Sequence, residues 1–180
     1  MISPIDRTMT VRVVTAEEAD ARCAALVSVL VDCVEGGASV GFMQPLSPQR
    51  AEAFWRGVVG GIARGERILL IAEDLGSGEV VGTVQLVVGL PENQPHRADL
   101  SKMLVHRRAR RQGVGAALLQ AAEDAARAAG KTLLVLDTAS GDAERLYRRA
   151  GWVPAGVVPG YALLPDGRPC DTTYFFKRLA

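Results

Sequence analysis

The segment Arg110-Arg111-Gln112-Gly113-Val114-Gly115 constrains this chain more than any other. It lies between a strand-like run, Leu100 to Val105, and an alanine- and leucine-rich helix that opens near Val114. A strand that runs through a turn into the first turn of a helix presents backbone N–H groups that have no intrahelical acceptor and point at whatever anion lies there. The helix dipole adds roughly 0.3–1 kcal/mol to such binding, and charge-assisted hydrogen bonds roughly 1.5–3 kcal/mol each. Gly113 and Gly115 lack a Cβ, so the backbone can approach a phosphate closely and adopt a positive φ. The arginines put positive charge at the rim. The pattern suits a pyrophosphate.

Three phosphate-binding patterns compete for the segment. A Walker loop needs a Lys-Ser or Lys-Thr after its last glycine, and none follows here. The dinucleotide fingerprint G-x-G-x-x-G fits Gly113 and Gly115 but meets Leu118 at its last place. The third pattern, Arg/Gln-x-x-Gly-x-Gly/Ala, is met in register by Arg110, Gly113 and Gly115. It is the acetyl-CoA pyrophosphate motif of the GNAT N-acetyltransferases, which this segment resembles. A basic helix start with two packing glycines would leave the same letters, so the rest of the chain has to decide.

At 180 residues the chain is long enough for one well-cored domain. Residues 1–9 read as a leader, loose from Met1 to Thr8, ahead of a single domain over residues 10–180. A net charge of +1 offers no reason to expect nucleic acid or an anionic membrane as partner. Cys23, Cys33 and Cys170 are odd in number, widely spaced and without CxxC or His partners, which argues against a zinc site or a disulfide framework and for a reducing compartment. With no signal-peptide pattern and no long apolar run, the expected location is the cytoplasm.

Thr10 to Val14 reads as a strand. Thr15-Ala-Glu-Glu18 is a capping box opening a helix that runs to about Glu35. Gly36 to Phe42 is a glycine-rich loop, and Ser47 before Pro48 caps a second helix that stops near Gly65. Arg67 to Leu75 and Glu79 to Leu90 are strands joined through Gly76-Ser77-Gly78, and Arg97 to Val105 is the strand entering the glycine turn. The third helix spans Val114 to Ala129 and ends at Gly130. Lys131 to Thr138 is nearly all apolar, as in a strand buried on both faces. Asp142 starts a short helix over Ala143 to Ala150. Trp152 to Val158 and Thr172 to Arg178 are the last strands, with a turn at Pro165-Asp166-Gly167 between them. The order β-α-α-β-β-β-α-β-α-β-β implies an α/β fold built on a mixed sheet flanked by helices.

That order resembles the GNAT superfamily over essentially the whole chain. Residues 36–43, Leu136-Asp137-Thr138, Pro159-Gly160-Tyr161, Pro165-Asp166-Gly167-Arg168 and Tyr174-Phe175-Phe176-Lys177 are similar to the tabtoxin-resistance acetyltransferases, which act on an amino-acid-like antimetabolite. The resemblance implies acetyl-CoA as co-substrate and no metal. It places Arg110, Arg111, Gln112, Gly113, Val114, Gly115 and Ala116 on the pyrophosphate. The pantetheine arm would pair with Met103, Leu104 and Val105, and a backbone N–H, expected at Leu104, would face the thioester oxygen. Such a donor typically contributes roughly 2.7–4 kcal/mol. Val40, Phe42 and Tyr161 are the expected acceptor-pocket residues.

Tyr147, ten residues past Asp137, stands where the superfamily often places a tyrosine near the CoA sulfur, where its phenol can serve the leaving thiolate as an acid. For the proton leaving the amine, Asp99 comes first, Asp137 second and Glu73 third. The implied reaction is direct acetyl transfer to a small amine, with detoxification or antibiotic resistance as the role and a homodimer as the assembly the superfamily often adopts. A protein N-terminal or lysine acetyltransferase, and a non-catalytic acyl-CoA sensor, remain open at this point. His96 and His106 read as solvated loop residues, and Trp55 and Trp152 as core or pocket aromatics.

Overall fold

The computed structural model describes residues 9–180, so the leader expected over Met1 to Thr8 lies outside the described residues. The elements run β1 (Met9–Val14), α1 (Ala16–Ala21), α2 (Cys23–Glu35), α3 (Pro48–Ala63), β2 (Arg67–Asp74), β3 (Val80–Val87) and β4 (Arg97–Val105). A one-turn 3-10 helix at 107–109 follows, then α4 (Val114–Ala128), β5 (Leu133–Thr138), α5 (Gly141–Arg149), β6 (Val153–Leu163) and β7 (Pro169–Arg178). They form one seven-stranded sheet in the order β1-β2-β3-β4-β5-β7-β6. Every neighbouring pair is antiparallel except β4 and β5, which are parallel and joined by α4. This is the mixed α/β sheet expected from the order of elements.

Alternation sorts the strands' side chains into two cores. One face carries Leu70, Leu86, Leu100, Leu134 and Phe175 against Leu118 and Ala122 of α4. The other carries Leu69, Ile71 and Leu104 against Leu26 and Leu30 of α2 and Trp55 of α3. Leu100 and Leu104 are four residues apart on one strand yet face opposite sides, because β4 contains a bulge. Thr83 pairs with Leu104 and Gln85 with Ser101, so Lys102 and Met103 together oppose the single residue Val84. Lys102 takes φ +50°, a left-handed conformation uncommon outside glycine, and the Thr83 hydroxyl donates to the Lys102 carbonyl at 3.1 Å.

Several boundaries differ from the sequence reading, each for a local reason. The first helix is kinked: the Arg22 N–H is shared between the carbonyls of Glu18 and Ala19, both at 3.2 Å, which divides α1 from α2. The capping box is formed, with Glu18 N–H on Thr15 Oγ1 at 3.2 Å and Thr15 N–H on Glu18 Oε2 at 2.9 Å. Ser140, not Asp142, caps α5, accepting from the Ala143 N–H at 3.4 Å. The last hairpin is longer than expected because Pro159-Gly160 makes a bulge instead of ending the strand. Gly160 sits at φ +61°, its N–H donates to Asp171 Oδ1 at 2.8 Å, and pairing resumes at Ala162 with Cys170. β5 buries one face, through Leu134 and Leu136, while Leu133 and Val135 are half-buried. The second core, packed under α2 and α3, draws its strand residues from β1 to β4 and does not reach β5.

Candidate active site

The parallel pairing of β4 with β5 covers only Arg97–Asp99 against Leu133–Val135. Beyond it the strands part, and a cleft of about 1050 Å³ opens at their carboxyl ends. Ligands of open α/β sheets favour that place. One wall is β4 from Leu100 to Val105 followed by the turn into α4; the other is Asp137 to Ser140 with Tyr147 of α5. The loop from Gly36 to Gly41, with Tyr161 of β6, closes the remaining side.

At the start of α4, Gly113 is the N-cap at φ +81°, a conformation glycine takes without strain, and no side chain caps the helix. The first intrahelical donor is Ala117, whose N–H reaches the Gly113 carbonyl at 3.0 Å. The amides of Val114, Gly115 and Ala116 precede it and lack intrahelical acceptors. Gly82 lets α4 sit close on β3: a Cβ there would lie 2.9 Å from Leu118 Cδ1 and 3.0 Å from the Leu104 carbonyl.

The basic run is more structural than its letters suggest. Arg110, exposed on the cleft wall, donates from Nε to the Val105 carbonyl at 3.1 Å. Arg107 donates from its amide and Nε to Asp32 of α2 at 2.8 and 2.9 Å, and His106 Nδ1 lies 3.5 Å from the same carboxylate. Partial burial pushes the Asp32 carboxyl up, but these contacts outweigh it and hold the group below its ordinary value. Its stabilisation of the turn is therefore present above the usual carboxylate range and lost as pH falls through the lowered value. His106, expected in solvent, is part of this anchor.

The bulge decides which β4 amides face the cleft. The Lys102 carbonyl is turned toward Thr83 on β3, so the N–H on the other side of that trans peptide, Met103, points away from β3. At the strand's end the His106 N–H donates to the Val81 carbonyl at 2.9 Å. Alternation back from there directs Leu104 toward β3 and Val105 toward the cleft. Met103 rather than Leu104, where the donor is expected, therefore presents its N–H away from β3, since a bulge shifts which amides face outward.

Tyr147 is 4% exposed, with its ring 5.8 Å from those of both Trp152 and Phe175. The residue nevertheless lines the cleft. Burial first, and the charge of Asp137 second, push its phenol pKa well up. Asp137 lines the cleft and accepts from Thr172 Oγ1 at 3.0 Å. Asp99 lies on the same face of the sheet one strand away, does not line the cleft, and is ion-paired with Arg97. Glu73 lies outside it too, clasped by Arg22 and by Arg12 at 2.9 Å. Val40 and Tyr161 line the cleft; Phe42 stands behind it, edge-on to Phe54 at 5.4 Å. Trp55 and Trp152 belong to the core. Tyr174 Oη donates to Tyr161 Oη at 3.0 Å, and chiefly for that reason the Tyr174 phenol is pushed up to about 12. Cys33 and Cys170, which the sequence left without a part, both line the cleft.

The model of the Acetyltransferase (GNAT) family matches residues 42–152, more than half of the chain. The chain belongs to this family. An uncharacterized N-acetyltransferase of Azospirillum brasilense is 34% identical over 108 residues, which span 59% of this chain and 61% of that protein. Among solved structures, a phosphinothricin acetyltransferase of Sinorhizobium meliloti in complex with acetyl-CoA superposes with a TM-score of 0.79 at 20% identity, over 96% of this chain and 89% of that one. A ribosomal-protein-alanine N-acetyltransferase of Brucella melitensis gives 0.77 at 24%, covering 94% and 99%. An N-acetyltransferase of Staphylococcus aureus gives 0.77 at 20%, covering 96% and 99%. At these identities the structures establish that this chain has the family's fold.

Among the described residues no cluster of three or more His, Cys, Asp or Glu side chains is placed to hold a metal ion, and no helix is long and apolar enough to cross a membrane. The cleft offers instead a row of helix-terminal amides at one end and a strand edge that a pantetheine arm can pair with. Tyr147 lines the wall opposite that strand edge.

Proposed function

We propose that the protein transfers the acetyl group of acetyl-CoA directly to the nitrogen of a small amine, with both substrates bound in the cleft. The observation that carries this reading is the convergence on one cavity of the uncapped amides of α4, the bulged edge of β4 and Tyr147. The diphosphate would sit on Val114, Gly115 and Ala116, with Arg111 and Gln112 beside it, and the pantetheine arm along Val105 and Met103.

The amine lone pair attacks the thioester carbonyl carbon, and the Met103 N–H receives the developing oxyanion. The C–N bond forms, the C–S bond breaks, and the ammonium proton leaves through Asp137, directly or by a water. Asp137 is preferred to Asp99 because it faces the cleft. A phenol held above its ordinary pKa stays protonated, so Tyr147 can donate a hydrogen bond to the departing thiolate. It is a weaker acid than a thiol, so it stabilises the sulfur's charge before any full proton transfer. Burial holds Cys33 as a protonated thiol, with Arg110 opposing only in part, and its Sγ donates to the Val105 carbonyl at 3.5 Å. That state disfavours an acyl-cysteine relay.

Resemblance to the tabtoxin-resistance enzymes, together with the phosphinothricin acetyltransferase among the structural neighbours, supports a detoxifying role in the cytoplasm. The test is release of CoA thiol from acetyl-CoA with a panel of small amines. Release is expected only with an amine. Since the neutral amine reacts, kcat/KM should rise about tenfold per pH unit and level off near the acceptor's own pKa. Binding of acetyl-CoA with no amine-dependent release across the panel would identify a sensor instead.

A further inference from the structure

Lys102 projects from the β4 bulge into the acceptor side of the cleft. Its Nζ lies 5.6 Å from the centre of the Phe54 ring, and a Cβ added at Gly41 would lie 3.8 Å from it. The ammonium therefore stands between α3 and the Gly36–Gly41 loop. Among the described residues it forms no ion pair. Burial first, and the neighbouring Arg67 second, pull its pKa below the ordinary lysine value, while Asp137 opposes them from across the split.

The surroundings are short of acceptors. Arg67 Nη1 donates to Gln85 Oε1 at 2.9 Å, which uses the acceptor of that fully buried amide. Gln85 Nε2 is left with no partner. Gln85 is paired with Ser101, the residue before Lys102, and both share the sheet face that carries Asp137 and Asp99. Two cations, an unpartnered amide and a hydroxyl thus gather on the β2–β4 side of the split, and the Asp137 carboxylate stands on the β5 side. Unpartnered buried donors and charges are costly, and a bound anion would satisfy those gathered here.

We propose that Lys102, backed by Arg67, seats a carboxylate carried by the acceptor, so that the enzyme prefers amines of the amino-acid type over the same amines without the acid group. The Asp137 side takes the ammonium end and the Lys102 side the carboxylate end. This assignment rests on the acetyl-transfer reading and adds the substrate class and the residue that selects it.

The test uses matched pairs: α- and ω-amino acids and the decarboxylated amine of each, assayed with wild type and Lys102→Met. For its best pair the wild type should favour the amino acid by about 10- to 100-fold in kcat/KM, the range for one charge-assisted hydrogen bond. In the variant the preference should collapse through KM, with the decarboxylated amine little affected. The same amino acid, added with CoA, should raise the Tm of the wild type and not of the variant. This readout needs no turnover. Lys102→Met should itself melt a few degrees higher, because an uncompensated charge has gone. A wild type indifferent to the carboxylate, or a variant that keeps the preference, overturns the assignment while leaving acetyl transfer intact. Thiol release that ignores every amine overturns the acetyl-transfer reading itself, and with it the kinetic arm. The Tm comparison then decides for or against the carboxylate seat alone.

Discussion

Tyr147→Phe should lower kcat by about 10²-fold or more, within the range of positioned acid catalysts, with little change in Tm or in acetyl-CoA affinity. The expectation follows from what the substitution removes. The phenylalanine ring keeps the contacts with Trp152 and Phe175, each at 5.8 Å between ring centres, so the core beneath the cleft is unchanged. Only the hydroxyl goes, and with it the donor proposed for the leaving sulfur. Asp137→Asn removes the proposed proton acceptor but keeps the shape and the hydrogen bond from Thr172, and should cost a comparable factor. Asp99→Asn should cost much less. Stopped-flow thiol release compared with thermal melting separates these cases. Full turnover by Tyr147→Phe in a chemistry-limited assay would remove the tyrosine from the mechanism.

Glu123→Ala should produce the largest loss of stability, about 3–5 kcal/mol, or a fall in Tm of roughly 6–20 °C. Glu123 lies on α4, 3% exposed, and receives the Lys177 ammonium at 2.6 Å and the Trp152 indole N–H at 2.9 Å. Lys177 also donates to the Ala150 carbonyl at 2.7 Å. Removing the carboxylate strands an ammonium and an indole N–H in a largely dry place. Replacing Glu123 and Lys177 together by methionine should restore most of the loss, because the desolvation cost of both charges disappears with them. Denaturant titration of the two variants checks this; equal stability of Glu123→Ala and wild type would rule the cluster out as a structural tie. The cluster joins α4, which carries the uncapped amides, to β7 and to the residues under Tyr147. The loss should therefore reach the cleft as well.

Most of the frame was readable locally. Strand β4 has the bounds its composition suggests, the capping box at Thr15 and Glu18 closes, and Gly113 takes the positive φ that a turn before α4 requires. What escaped depends on register between strands far apart in sequence. A period-two pattern through Leu100 and Leu104 hides the extra residue at Lys102–Met103, and only pairing with β3 exposes it. That one insertion turns the Met103 amide away from β3 and places Lys102 on the cleft wall, on which the proposed oxyanion and carboxylate contacts depend. Pro159-Gly160 looks like the end of a strand until Asp171, on the partner strand, accepts the Gly160 amide. Glu123 in an alanine-rich helix looks solvated until Lys177 and Trp152 arrive from the other end of the chain. Asp99 and Asp137 are equivalent as letters; the early end of β4–β5 pairing is what gives Asp137 the cleft.

The grip of the α4 amides on a diphosphate underlies every step proposed for this cleft, and a backbone-amide NMR titration with coenzyme A measures it directly. The resonances of Val114, Gly115 and Ala116 should move together and saturate at one stoichiometric equivalent, with those of Met103 and Val105 following as the pantetheine arm pairs. Saturable binding that leaves the three helix amides unmoved would contradict the account, as would an absence of binding by the folded protein.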